Sequence, residues 1–318
     1  MIKPTKIYII VNELSGSGNG KKVSIALSKQ LIEKNIAFNL YPSQYAGHTV
    51  QLAKDLSKEH DTKLTEKKQL LLIIGGDGTL NEALTGLGET QKHIPLAYIP
   101  AGSGNDFAKA LSISKDVAKA LEQLLICEEP KEINILHYHD QISGVVGYAV
   151  NNIGVGFDGA TANFINESSV KKKLSAIKMG SLTYLVSLII VLFKQKGFPI
   201  KVKVGNVYRT FSDAFLVTVN NHPYFGGGME ISPKASPYDD VVDLIVLQKV
   251  SLFKFIFLFI LMLNGGRHLN HKDVHYLQGP CIKILSNQQE YVQADGEFLG
   301  KKSLDLSIKS STRYFWIQ

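Results

Sequence analysis

Three short apolar runs near the start of the chain, residues 7–11, 69–74 and 95–99, each end abruptly in a polar or glycine-rich break. The breaks read Asn12-Glu13-Leu14-Ser15-Gly16, Gly75-Gly76-Asp77-Gly78-Thr79 and Pro100-Ala101-Gly102-Ser103-Gly104-Asn105-Asp106. Between them lie helix-period patterns at residues 21–34, where Val23, Leu27 and Leu31 form one stripe, at 48–60, from Leu80 onward, and at 117–125. A further strand is expected at 36–40. Strands alternating with helices predict a parallel sheet covered on both faces, and such sheets bind ligands at the carboxyl ends of their strands. All three breaks follow strands, so all three fall on that edge.

The second break carries the sharpest chemistry. A buried strand that turns at Gly75-Gly76-Asp77-Gly78-Thr79 and enters a helix through Leu80-Asn81-Glu82 presents bare amides and a helix N-terminus, where an anion is stabilised. A nucleotide carrying Mg²⁺ would also use a carboxylate such as Asp77 near its phosphate oxygens. The alternative is a tight turn whose glycines serve positive φ and whose Asp caps the helix.

With 318 residues, 45% of them hydrophobic, the chain has enough material for two domains with their own cores. A net charge of +7 fits anionic partners and does not choose among nucleotide, acidic lipid and nucleic acid. Two cysteines 154 residues apart, Cys127 and Cys281, have no metal-type spacing and fit a reducing compartment. The first residues offer only a five-residue apolar run, too short for the core of a signal peptide. Residues 181–193 and 251–263 are strongly apolar but about 13 long, short of the roughly 20 that span a bilayer, and are read as core helices or surface-docking segments.

After the polar stretch Glu128-Glu129-Pro130-Lys131-Glu132 the texture changes. Alternating β-like segments recur at 145–153, 200–204, 211–220, 241–247, 281–285 and 304–308, joined by Gly, Pro, Asn and Asp, with helices expected at 171–193 and 251–264. The expected architecture is a two-domain chain: an α/β nucleotide-binding domain over 1–130 and an antiparallel β-sandwich or open barrel over 131–318, whose last strand is a candidate to return to the first domain. Residues 61–68 read as a polar loop.

Several motifs fail inspection. Ser15-Gly16-Ser17-Gly18-Asn19-Gly20-Lys21-Lys22 has neither the first glycine nor the Ser/Thr of a P-loop. Gly154-Val155-Gly156-Phe157-Asp158-Gly159 satisfies a dinucleotide pattern but lies in the β-rich half without the acid that should follow. Neither a metal-spaced His/Cys cluster nor a nucleophile elbow is present, and no nucleic-acid recognition module accompanies the basic residues.

The three breaks, together with Asp295-Gly296-Glu297, resemble in order the motifs of the diacylglycerol kinase catalytic-domain family, which includes soluble bacterial diacylglycerol kinases, YegS-like lipid kinases and sphingosine and ceramide kinases. Asn151-Asn152-Ile153-Gly154-Val155-Gly156-Phe157-Asp158 and Gly226-Gly227-Gly228-Met229 look like the start and middle of its second domain. The resemblance covers nearly the whole chain. It implies an N-terminal domain of the NAD kinase/phosphofructokinase-like type and a β-rich partner, with ATP and Mg²⁺ in the cleft between them and transfer of the γ-phosphate to a lipid hydroxyl. The nucleotide contacts it implies are Asn12, Glu13, Leu14, Ser15, Gly16, Ser43, Gly75, Gly76, Asp77, Gly78, Thr79, Leu80, Asn81, Ser103, Gly104, Asn105 and Asp106. Ser43 and Ser103 stand where the family usually has Thr, which keeps a hydroxyl at both positions. Glu13 replaces the usual Pro and brings an extra acid to the triphosphate.

The resemblance makes Asp77, Asp295 and Glu297 the catalytic acids, with Glu297 the proton acceptor and Asp295 its partner in a Mg²⁺/water network, the reverse assignment remaining open. Residues two apart in extended chain face the same way, which lets both carboxylates line one site. A structural Mg²⁺ is implied at Asp240 with the carbonyls of Pro237 and Val242, in a loop where Val241 replaces the family glycine. Diacylglycerol is the leading substrate, with a sphingoid base, ceramide, monoacylglycerol and phosphatidylglycerol also open. The implied setting is cytoplasmic with transient attachment to an anionic membrane surface, and Lys171, Lys172, Lys173, Lys178, Lys194 and Lys196 flank the apolar segment 181–193. A homodimer is the default assembly. NAD kinase and a catalytically weak lipid- or nucleotide-sensing protein are the competing readings.

Overall fold

The computed structural model of the chain describes residues 4–60, 69–166 and 191–318. The polar loop at 61–68, Lys171, Lys172, Lys173 and Lys178, and most of the helix expected at 171–193 lie outside the described residues. The chain divides into two compact units: Met1–Ile135 with Tyr224–Gly228 and Ser311–Gln318, and Leu136–Pro223 with Met229–Ser310.

The first unit runs β1 (Lys6–Val11), α1 (Ser15–Glu33), β2 (Ala37–Pro42), α2 (His48–Glu59), β3 (Gln69–Gly75), α3 (Asp77–Leu87), β4 (Leu96–Pro100), α4 (Asp106–Ala110) and α5 (Val117–Ile126). Its strands lie in the order β2-β1-β3-β4 and pair parallel throughout. Every residue of β3 from Leu70 to Gly75 is buried, as a central parallel strand covered on both faces must be. Val23, Leu27 and Leu31 of α1 enter one core with Ile9, Leu72, Ile74, Ala97 and Leu121. Gly16, Ser17 and Gly18 are left-handed, so regular helix sets in only after them, close to the expected start at Lys21.

The chain then continues through β5 (Lys131–Asp140), β6 (Val146–Ala149), β7 (Asn152–Gly156), α6 (Phe157–Asn166), β8 (Phe198–Val204), β9 (Val207–Asn220) and the two-residue strands β10 (Tyr224–Phe225) and β11 (Met229–Glu230). It ends with β12 (Val242–Gln248), α7 (Leu252–Leu263), β13 (Val274–Gly279), β14 (Cys281–Ala294) and β15 (Glu297–Phe315). In the second unit the sheet order is β13-β12-β9-β7-β14-β15. Besides β12 and β15 respectively, the long strands β9 and β14 each serve two further neighbours. Their outer halves pair with β8, and the halves around Val217 and Val292 pair with β7. Two layers result, and Val155, Val202, Val217, Leu244, Ile284 and Leu306 fill the space between them. This is the sandwich expected from the alternating segments, and all these pairs are antiparallel.

Among the described residues, β5, β13 and the helix α6 were not anticipated, nor were the two-residue strands β10 and β11. The expected single strand over 145–153 is split into β6 and β7. At the break, Val150 and Asn151 give their amides to the carboxylate of Asp295, which also accepts from Asn152 at the start of β7. The apolar run at 251–263 forms α7, capped by Ser251, whose side chain accepts from the amide of Lys254. Among the described residues no helix is long and apolar enough to cross a membrane.

Candidate active site

The carboxyl edge of β1, β3 and β4 gathers the three breaks by backbone bonding. Ala101 and Gly102 both donate their amides to the Gly75 carbonyl, at 2.7 and 3.2 Å, and Asn12 donates its amide to Ile74. Tyr98, itself buried, donates its hydroxyl to Gly75 as well, at 3.2 Å. Side chains then lock the turns to one another. Asn12 accepts from the amide of Leu14 at 3.1 Å and donates to the Thr79 hydroxyl at 3.3 Å, which ties the first break to the start of α3. Asn19 donates to the carbonyl of Ala101.

Glycine is required here by close approach. A Cβ on Gly75 would sit 2.5 Å from the Cβ of Thr79, and one on Gly102 would sit 2.6 Å from the Cα of Gly76. The second and third breaks therefore touch backbone to backbone. First-turn amides of α3 are thereby held at the sheet edge, where the helix dipole favours a phosphate.

Not every residue singled out from the sequence has its side chain available. Leu80 and Thr79 are buried in the first unit, so any ligand contact from Leu80 is through its backbone. Asn105, left-handed at φ 61°, accepts from the Gly102 amide at 2.9 Å and donates to the Gly102 carbonyl at 2.7 Å; it shapes its own loop. Asp77 accepts from the Asp106 amide at 3.0 Å and so fixes α4 to α3. The carboxylate of Asp106 in turn accepts from Gly227 at 2.9 Å, and burial raises its pKa against the pull of the Gly227 and Gly228 amides and of Lys109 and Lys115. Ser103 and Gly104 lie on the open side of the third break, and no atom outside its immediate neighbours approaches a Cβ at Gly104 within 4 Å. Ser43 follows β2, with its amide on the Val11 carbonyl.

Glu82, Lys109 and Tyr98 were not singled out as site residues, yet each organises the edge. Glu82 accepts from the amide of Gly47 at 3.0 Å, joining the turn before α2 to α3. Lys109 donates to the Gly228 carbonyl at 2.9 Å and lies 3.8 Å from the centre of the Tyr224 ring. Although Gly226-Gly227-Gly228 reads as the middle of the second domain, these contacts hold Tyr224–Gly228 to the first unit. Only a cation and an acid one helical turn apart, Asp106 and Lys109, could have signalled this from the sequence.

Asp295 and Glu297 belong to the second unit and divide the work. Asp295, at φ 51°, uses both carboxylate oxygens on the amides of Val150, Asn151 and Asn152, at 2.7 to 3.2 Å. Glu297 is exposed at the start of β15. The same unit holds a polar network in which Asn152 and Gln293 both donate to Asp158, at 3.0 and 2.8 Å, and burial pushes the Asp158 carboxyl up to about 6. This gives Gly154-Val155-Gly156-Phe157-Asp158-Gly159 a role in the interior of the second unit. His222 is fully buried with Nε2 2.8 Å from the Asn151 amide oxygen, and burial lowers its pKa to about 3, so it is neutral.

In the loop before β12, Asp240 is exposed and Pro237 buried, and Val242, which opens β12, is buried. Val241 is not among the described non-glycine residues with positive φ, so the loop closes without the left-handed turn that a glycine there would permit. Beside it, burial pushes Asp243 up to about 6 despite a hydrogen bond from the Tyr276 hydroxyl.

Residues 6–138 match the diacylglycerol kinase catalytic domain, and residues 151–311 match the YegS C-terminal NAD kinase beta sandwich-like domain. The chain is 28% identical over 309 residues to the Bacillus subtilis protein named "Putative lipid kinase YtlR", covering 96% of this chain and 97% of that one. It is 27% identical over 279 residues to a diacylglycerol kinase of the same organism, covering 86% and 87%. The crystal structure of a diacylglycerol kinase from Bacillus anthracis superposes with a TM-score of 0.72 at 23% identity, over 99% of this chain and 97% of that one. A yeast NADH kinase shares the fold at a TM-score of 0.51 and 12% identity, over 98% and 78%. The interlocked strand-end turns of the first unit and the sandwich of the second thus coincide with two adjoining domain matches, and the chain belongs to the diacylglycerol kinase catalytic-domain family in its form with a YegS-type C-terminal domain.

Proposed function

We propose that the protein is an ATP-dependent lipid kinase that transfers the γ-phosphate to a lipid hydroxyl, with diacylglycerol as substrate and phosphatidic acid as product. The observation that carries the reading is the locking of the Gly75, Ala101 and Asn12 turns into one anion-ready edge at the N-terminus of α3. The amides of Gly76, Gly78 and Thr79 and the hydroxyls of Ser15, Ser43 and Ser103 hold the phosphates and ribose of ATP. Relatives named diacylglycerol kinase support the choice of acceptor.

In the reaction the lipid hydroxyl oxygen bonds to the γ-phosphorus, the bond from that phosphorus to the β–γ bridging oxygen breaks, and ADP leaves. Glu297 takes the hydroxyl proton; it is the exposed member of the acid pair, whereas Asp295 holds the Val150-Asn151-Asn152 backbone in place. Asp77 would hold Mg²⁺ beside the phosphates, where the ion would supply neutralisation of charge on the transferring group. The donor set fits: a carboxylate at a helix N-terminus supplies the hard oxygen that Mg²⁺ prefers. Asp240, with the carbonyls of Pro237 and Val242, is the candidate for a second, structural Mg²⁺.

The test is transfer of labelled γ-phosphate from ATP-Mg²⁺ to a panel of dispersed lipids plus NAD. Label is expected in diacylglycerol, falling about a hundredfold or more in Glu297→Ala, the usual scale for losing a proton acceptor, and lost also in Asp77→Ala, which removes the carboxylate beside the phosphates. Label in NAD alone overturns the reading in favour of an NAD kinase. ATP binding without any labelled product overturns it in favour of a sensing protein.

A further inference from the structure

Helix α7 leaves a continuous apolar stripe in solvent. Phe253 is 84% exposed, Ile256 46%, Phe257 51%, Ile260 52% and Leu263 59%, and their spacing of three and four residues places them on one face. The opposite face is spent on the second unit. Leu258 and Met262 are buried, and the Phe255 ring packs 5.4 Å from Phe157 and 6.1 Å from Phe215. A helix apolar on both sides and buried on one needs a second apolar partner.

Charge identifies that partner. From Lys249 to Lys272 the chain has no Asp or Glu and carries Lys249, Lys254, Arg267 and Lys272. Lys254 is neutralised by Asp273 at 2.7 Å and Lys249 is turned to the carbonyls of Leu192 and Gln195, which leaves Arg267 and Lys272, both exposed, beyond the C-terminal end of α7. An anionic headgroup layer over hydrocarbon meets both features at once. At 12 residues α7 is about 18 Å long, too short to span and well suited to lie in the interfacial plane.

We infer that the exposed face of α7, flanked by Arg267 and Lys272, docks the protein on an anionic lipid bilayer, with Phe253, Phe257 and Ile260 entering the acyl boundary. The inference rests on the lipid-substrate reading, to which it adds the element that brings the enzyme to its substrate's surface.

Binding to phosphatidylcholine vesicles with and without phosphatidylglycerol, followed by co-sedimentation in the absence of ATP, tests it. The intact protein is expected to prefer the anionic vesicles. Phe253→Ala/Phe257→Ala should weaken binding to them at least tenfold at unchanged Tm, since both side chains are exposed. Arg267→Gln/Lys272→Gln should lose roughly fivefold per charge removed and flatten the salt dependence. Unchanged vesicle affinity in both variants overturns the inference, and so does a shift from dimer to monomer in Phe253→Ala/Phe257→Ala without loss of vesicle binding. Phosphoryl transfer to short-chain diacylglycerol dispersed below its aggregation limit separates the two claims. Transfer with α7-independent vesicle binding sinks the docking surface alone, and α7-dependent binding without transfer to any lipid sinks the kinase reading alone.

Discussion

Asp158 keeps part of its surface in solvent, yet its carboxyl group is packed against Asn152 and Gln293, and this burial pushes it up to about 6. A carboxyl raised in the folded protein binds its proton there at pH values where the unfolded chain has released it. Between about pH 4 and 6 the folded state therefore holds more protons, and its stability falls as pH rises through that window. Asp158→Asn cannot ionise. Its stability relative to the intact protein should improve by up to about 3 kcal/mol from pH 4 to pH 7, a change that urea denaturation at several pH values reads directly. A pH-independent difference would contradict the assignment. The sequence disclosed Asp295 and Glu297 as a pair because they lie two residues apart. It did not disclose that Asp295 anchors three amides, because those amides are about 145 residues away and nothing local marks them.

Among elements, the α3 turn and the third break are built as one piece, since Gly102 approaches Gly76 too closely for a side chain. Gly102→Ala should cost about 1 to 3 kcal/mol in urea denaturation and abolish nucleotide affinity measured with a fluorescent ATP analogue. Gly104→Ala, where the space is open, should leave stability within about 0.5 kcal/mol. Equal losses from both would show that the contact does not matter. The parallel elements were legible because β1, β3 and β4 are compact apolar runs closed by the polar pair Asn12-Glu13, by glycine and by proline respectively. By contrast β5 escaped because Lys131, Glu132, His137, His139 and Asp140 interrupt its apolar pattern, and α6 because Gly156 and Gly159 read as a turn. Periodicity sees what one face buries. It does not see a helix such as α7, apolar on every side, and tell which side stays wet.

At the scale of the whole molecule, the first unit is completed by residues far along the chain. Phe315 pairs with Leu96, Phe315 and Trp316 are buried, and the Trp316 indole donates to the Leu124 carbonyl at 3.0 Å. Trp316→Ala should therefore cost about 3 to 5 kcal/mol, an effect that urea denaturation would show. A loss below about 1 kcal/mol would mean the segment is an accessory to the first unit rather than part of its core. The chain leaves this unit at Ile135, returns for Tyr224–Gly228, leaves again, and comes back at Ser311. Because synthesis proceeds from one end, the first unit cannot close when its own 135 residues have emerged; it waits, with the core beside Leu96 and Leu124 uncovered, while residues 136–310 are made. The order of manufacture thus makes the second unit finish first, and a ribosome that stalls within it yields a chain whose first-unit core is still open.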